Sequence, residues 1–368
     1  MIVYISMIIT SLFFIYLSIK IENKNQKIIY IVLGMLPFII VAGFRYNVGT
    51  DYLYRYVTDF NKIANGIDVE NLEIGFKAII KFCLIFSKDS QLLFIITSIM
   101  ITFFIIYGIN KNSKNILISV LIFGIGGFFF QSLNLVRQFL AMTIVFFAYQ
   151  YLLEKKKIIW YILAVIIATL IHNSSIIMLC LIFCRKRILF KPWLTILIMA
   201  AVLLFGEQIF ELMTVAIENT RFDVYLIGKY AKGFTSNLYN LVNLILYAVM
   251  YICYRVKNKN QKEKITQEDR LFINIQALAL IFTVMSSMHM LFSRISYYFM
   301  IFQILSVPYF IETTKIKEVH LGENGTKKVL YGFVIIFFLT LTFYTNVLHN
   351  DNEPLPYISV FSKERKIK

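Results

Sequence analysis

Charged residues are scarce in this chain. Asp, Glu, Lys and Arg supply 16% of its 368 residues, while hydrophobic types supply 59%. Soluble domains carry about 25% charged residues, so this composition does not suit a surface that faces water on all sides. Cysteine is scarce too. Cys83, Cys180, Cys184 and Cys253 all lie inside apolar runs, which indicates buried, inert thiols and no disulfide framework. Cys180 and Cys184 are one helical turn apart, but no His or carboxylate joins them, so no metal site is indicated. The sequence has no Gly-rich phosphate loop and no Walker motif, which argues against ATP-driven transport by this chain alone. Nothing in it requires a cofactor. It also shows no internal repeat and no low-complexity tract. Residues 1–18 lack a charged n-region and a small-residue cleavage site, so they read as a retained first span and not as a signal peptide.

What is present is long apolar runs with a mean hydropathy of +0.71. A lipid-facing helix is apolar on all sides, whereas a membrane β-barrel alternates apolar and polar residues. The runs here do not alternate, so the expected fold is an all-α polytopic helical bundle forming a single membrane domain over residues 1–368. About twelve segments are expected, at 2–19, 28–44, 91–109, 116–130, 135–153, 158–171, 174–184, 193–205, 238–254, 271–290, 295–311 and 329–347. A further stretch, 74–86, is short and carries Lys77 and Lys81 one turn apart. It reads as an interfacial or re-entrant amphipathic helix.

The formal charge of +16 would point to nucleic acid in a soluble protein. Here Lys and Arg gather in short clusters between apolar runs, the pattern of cytoplasmic loops under the positive-inside rule. If 74–86 does not cross, all six basic clusters fall on one side. The opposite, outer side then receives the larger loops at about 45–73 and 206–237, several tight turns and the C-terminal tail. Residues 157–185 are basic at both ends, with 27 residues between. That is too many for one straight span and too few for two. A pair of short helices breaking at His172-Asn173-Ser174-Ser175 resolves this and places His172 within the membrane depth, where irregular backbone lines a cavity.

The outer-side segments hold the polar residues able to carry chemistry. The first loop opens with Arg45, Gly49, Asp51, Tyr52, Arg55 and Tyr56; Gly49 permits a tight turn that would aim Asp51 and Tyr52. An ordinary solvated loop with interfacial aromatics would look similar. Arg137 and Gln138 lie about one turn inside an otherwise apolar span. An arginine there either snorkels to the interface or faces a polar cavity. His172 at the helix break is a candidate general base near neutral pH. Arg294 with Tyr298, Arg221 in the second large loop, and Tyr357 in a proline-flanked tail complete the set. Guanidinium groups suit phosphate oxygens. Several of them beside aromatics and carboxylates suggest a ligand that is both anionic and carbohydrate-like, such as a lipid-linked diphosphate sugar.

Four stretches carry a family resemblance: FRYNVGTDYLYRY (44–56), NLVRQFLAMTIVFFAYQYLLEKKK (134–157), TLIHNSS (169–175) and SRISYYFMIFQILSVPYF (293–310). Together they resemble the EpsG family, Wzy-like bacterial proteins associated with exopolysaccharide and capsule synthesis and, more broadly, with O-antigen polymerases. The most specific element is Arg-x-x-x-Gly-Thr-Asp-Tyr at 45–52. The resemblance implies a helical, GT-C-like membrane fold related to the lipid-sugar-dependent glycosyltransferases. It also implies joining of undecaprenyl-diphosphate-linked oligosaccharide repeat units at the outer leaflet of the bacterial plasma membrane. On that reading the partners are the lipid-linked oligosaccharide and the bilayer, with flippase and chain-length regulator proteins nearby, and no nucleic acid. Arg137 and Arg294, with Arg45 third, are expected to stabilise the departing diphosphate. Asp51 and His172 compete for the role of base. Arg45, Tyr52, Gln138, Arg221, Tyr298 and Tyr357 are expected to bind substrate. A flippase for the same lipid-linked sugars and a surface-glycan ligase are the alternatives.

Overall fold

A computed structural model of the chain describes residues 1–217, 237–259, 265–314 and 322–362. Among these the backbone forms sixteen α-helices and no strand. In chain order they are α1 Ile2–Lys20, α2 Lys24–Gly43, α3 Thr58–Ala64, α4 Ile74–Phe86, α5 Gln91–Asn112, α6 Ile116–Ile125, α7 Phe128–Asn134 and α8 Val136–Leu153. There follow α9 Ile158–Ile171, α10 Leu181–Cys184, α11 Pro192–Ile217, α12 Asn237–Lys259, α13 Gln267–Met285, α14 Met290–Met300, α15 Gln303–Thr313 and α16 Gly322–Thr342.

Among the described residues, six helices are long and apolar enough to cross a bilayer: α1, α2, α5, α8, Leu238–Lys259 within α12, and Gly325–Leu348, which extends α16. Two bent pairs, α6 with α7 (50°) and α14 with α15 (43°), raise the number to eight if each pair is one span. The protein is therefore an all-α polytopic membrane protein, but the expected twelve segments are too many. Four of them fail for local reasons. α9 has 14 residues, about 21 Å at 1.5 Å per residue, short of a hydrocarbon core of roughly 30 Å. Residues 174–184 divide into a 3₁₀ stretch, Asn173–Cys180, and the four-residue α10. Residues 193–205 lie in α11, whose helical geometry is interrupted at Phe205 (φ −118°, ψ 20°). The run 271–290 falls largely in α13, whose first turn carries Glu268, Asp269 and Arg270.

The chain divides into two compact units. The first comprises residues 1–150, 159–176 and 331–368. In it α1 packs on α2 and α6, and α2 on α5. The α6/α7 bend falls at Gly126-Gly127. Gly127 has φ +81° and a left-handed conformation, which costs a residue with a Cβ about 1–2 kcal/mol. α4 buries Phe76, Ile80 and Cys83 and exposes Ile74, Phe82, Ile85 and Phe86. Its 13 residues reach about 20 Å, and it coincides in extent with the 74–86 stretch, with apolar side chains on both its buried and its exposed face. The second unit comprises residues 151–158 and 177–330. α13 is its hub, packing against α10, α11, α12, α14 and α15. The side-chain amides of Asn243, Gln276 and Gln303 are buried together and bonded to one another at 2.7–3.1 Å, a polar link between helices that have only lipid for solvent. Lys257 and Asp269 form a buried ion pair at 2.7 Å.

One packing contact sets up everything that follows. A Cβ placed on Gly75 of α4 would lie 2.7 Å from Leu170 O and 2.8 Å from Leu170 C, at the end of α9. The neighbour is backbone and cannot swing aside, so only glycine lets α4 start where it does. Gly75→Val is expected to lower the thermal midpoint of the purified protein by the equivalent of about 1–3 kcal/mol. Gly332→Ala, at a helical position with nothing within 4 Å, is the matched control and should be neutral or slightly stabilising. Equal midpoints for the two variants would contradict the contact.

Candidate functional site

The close approach of α4 to α9 brings Glu73 to the break after α9. Glu73 is the last residue before α4 and is 9% exposed. Its Oε2 accepts a hydrogen bond from Arg137 Nη1 at 2.6 Å, and its Oε1 lies 3.4 Å from His172 Nδ1. The backbone N–H of Asn173 donates to the same Oε1 at 3.5 Å. Arg137 is 5% exposed, and its guanidinium also faces the Phe76 ring at 5.9 Å. Residues 73, 137 and 172, far apart in the chain, thus share one carboxylate. The helix break at His172 occurs where the sequence placed it.

Sequence reasoning missed Glu73. The signal was present: an acid between Leu72 and Ile74, followed by Gly75 at the start of an amphipathic helix. A carboxylate flanked by apolar residues at a helix start has a reason to be buried. Burial alone would push its pKa up. The His172 contact and the charge of Arg137 outweigh that and hold it at about 2, below its ordinary 4.5.

The Gly-Thr-Asp-Tyr turn is built beside this cluster. Gly49, at φ +96°, lies against Leu133 O. Asn134, the last residue of α7, accepts from Thr50 Oγ1 and from the Asp51 backbone N–H, each at 2.9 Å. Its carbonyl accepts from Tyr56 Oη at 3.0 Å, and its amide donates to Asn352 Oδ1 at 2.9 Å. Asp51 is therefore held by its backbone. Its half-buried carboxylate makes no hydrogen bond among the described residues. Asp59 of α3 stands near Arg55 and Arg137. Burial pushes its pKa up, against the lowering effect of Arg55, Arg137 and Lys62.

Arg45 lies at the same turn. It is 2% exposed. Its guanidinium donates to Val48 O, Leu133 O and Ala42 O and faces the Phe94 ring at 4.7 Å. Two of those carbonyls end α2 and α7, where the helix dipole is negative. Arg45 thus braces two helix ends. Tyr52 is stacked on Phe94 at 4.2 Å, and its hydroxyl donates to Gln91 Oε1. The Tyr357 hydroxyl donates to Val41 O at 3.2 Å. It lies in a tail whose backbone bonds to that of Phe44, Tyr46, Gly49 and Thr50. Gln138 is buried, with its amide 3.7 Å from Met142 Sδ. Arg294 and Tyr298 belong to the second unit, where Tyr298 is buried and Arg294 half-buried in α14. Arg221 lies outside the described residues.

The contrast between the two buried arginines decides what the site can do. Arg45 gives its N–H groups to carbonyls. Among the described residues Arg137 bonds Glu73 through Nη1 alone, so its remaining N–H groups are available to an oxyanion. The same Glu73 carboxylate lies 3.4 Å from the His172 imidazole, a group able to accept a proton near neutral pH. No group of three or more metal-ligating side chains occurs among the described residues.

The Glu73 carboxyl has a folded pKa below its unfolded value, so its stabilising effect is complete above about pH 4.5 and is lost as pH falls toward 2. The thermal midpoint of the wild type is expected to drop more steeply between pH 5 and pH 3 than that of Glu73→Gln. Parallel curves would contradict the paired carboxylate.

The model of the EpsG family matches residues 28–359. No curated protein and no solved structure matches the chain. With nearly the whole length covered, including both arms of the Glu73 cluster, the chain belongs to the EpsG family.

Proposed function

We propose that this protein is a polysaccharide polymerase that joins oligosaccharide repeat units carried on a polyprenyl diphosphate. Membership of the EpsG family supports a membrane protein of polysaccharide biosynthesis. The observation that carries the finer reading is the buried Arg137 guanidinium, with N–H groups to spare, fixed through Glu73 beside His172. In the reaction, the hydroxyl oxygen of the acceptor unit attacks the anomeric carbon of the donor chain. The bond from that carbon to the diphosphate oxygen breaks, and its electron pair leaves on the diphosphate. The hydroxyl proton passes to a base. Products are a longer lipid-linked glycan and free polyprenyl diphosphate.

Arg137 stabilises the charge that grows on the leaving diphosphate, a role in which a pre-placed donor is worth on the order of a hundredfold in rate or more. His172 is the favoured base, because the Glu73 carboxylate 3.4 Å from its Nδ1 favours proton acceptance. Asp51, held by its backbone on Asn134, is the alternative. The positive-inside pattern of the basic clusters supports an outer-leaflet reaction at the bacterial plasma membrane.

The test is polymer length in a deletion strain complemented with wild type, Arg137→Ala, His172→Ala or Asp51→Asn, with membrane levels matched. Wild type should restore long glycan. Arg137→Ala should reduce polymer about a hundredfold or more and leave single lipid-linked repeats exposed outside the cell. Single repeats trapped on the cytoplasmic side would make the protein a flippase and overturn the proposal.

A further inference from the structure

We propose that Glu73 is the positioning residue of this site, and that it surrenders Arg137 to the diphosphate of the incoming substrate while keeping its hold on His172. The inference rests on the polymerase reading only for the identity of the anion.

The two carboxylate oxygens have separate tasks. Oε2 meets Arg137 at 2.6 Å, while Oε1 faces His172 Nδ1 at 3.4 Å and the Asn173 N–H at 3.5 Å. Before substrate arrives, a cation at 5% exposure needs a counter-charge, because burying a lone charge costs several kcal/mol. Glu73 provides it through a single Arg137 N–H. A diphosphate presents more charge and more oxygens, and guanidinium–phosphate pairs can form through two parallel bonds. It therefore replaces a one-bond partner with a stronger one. No covalent bond changes in this step; one ion pair exchanges for another.

Glu73 does not leave the site when displaced. It stays fixed at the start of α4 by the packing of Gly75 on Leu170, with the Asn173 N–H still on Oε1. Its negative charge, no longer neutralised by Arg137, then acts on His172 and favours the imidazole taking a proton. Arrival of the leaving group thus strengthens the base at the moment it is needed. Tyr56 of the first loop and Asp59 of α3 also stand near Arg137; Arg55 lies near both of them, and Asp51 near Tyr56.

The experiment uses full-length protein in lipid nanodiscs with farnesyl diphosphate as probe. Removing the competing carboxylate in Glu73→Gln should tighten farnesyl diphosphate binding by about tenfold, while polymer synthesis in the deletion strain falls. A merely structural residue would lose both together. Glu73→Asp should return binding toward the wild-type value, and Arg137→Ala should abolish it. Unchanged or weaker binding by correctly folded Glu73→Gln overturns the proposal. Should Glu73→Gln fail to fold, ¹⁵N-histidine NMR of the wild type decides. Farnesyl diphosphate should shift the His172 signal, assigned with His172→Ala, toward imidazolium, and no shift overturns the exchange. Tighter binding by Glu73→Gln in a protein whose loss leaves glycan length unchanged would uphold the exchange at Arg137 and overturn only the polymerase reading.

Discussion

A charge inside a membrane protein persists only with a counter-charge or a complete set of hydrogen bonds. The first compact unit depends on one such arrangement, the Glu73 carboxylate shared by Arg137 and His172. It ties the end of the first long loop to the start of α8 and to the break after α9. Each of these pieces alone would be unfavourable: a buried acid, a buried guanidinium, and a helix that stops within apolar sequence. Together they satisfy one another. The glycine at position 75 is what permits the approach, since any Cβ there would meet Leu170 backbone.

Much of this was legible in the sequence, and the exceptions have physical causes. The extent of α4, the break at His172 and the helical membrane class follow from hydrophobic periodicity and length. The span count did not, because apolar composition reports burial without distinguishing lipid from protein. Residues 174–184 read as a span, yet the structure resolves them into 3₁₀ turns and a single α-turn. Arg137 and His172 stood out as polar residues in apolar surroundings. Glu73 did not, because it ends a polar loop and looks solvated until α4 meets α9. Arg45 and Arg137 were indistinguishable for a related reason. Both lie at helix ends, and only the fold reveals that Arg45 faces the carbonyls of Ala42, Val48 and Leu133.

That difference gives the family's Arg-x-x-x-Gly-Thr-Asp-Tyr element a physical meaning in this chain. The arginine clamps the ends of α2 and α7, the glycine lets the turn lie on Leu133, and the tyrosine stacks on Phe94. Asp51 is the one member of the motif whose side chain is left for other work. The element is a scaffold that holds Asp51 and Asn134 at the edge of the Glu73 cluster. The tail reinforces it through backbone bonds to Tyr46, Gly49 and Thr50. Arg137, His172 and Asp51 are the residues on which the proposed reaction rests.

The most direct measurement of the shared carboxylate is a double-mutant cycle on thermal unfolding of the purified protein, using Glu73→Gln, Arg137→Gln and the pair. Removing one partner of a buried ion pair costs about 3–5 kcal/mol, because the other charge is stranded. Each single variant should therefore lower the midpoint markedly, and the double variant should lower it no further than the worse of the two. Strictly additive losses would contradict the bridge, because they would mean that Glu73 and Arg137 do not hold each other.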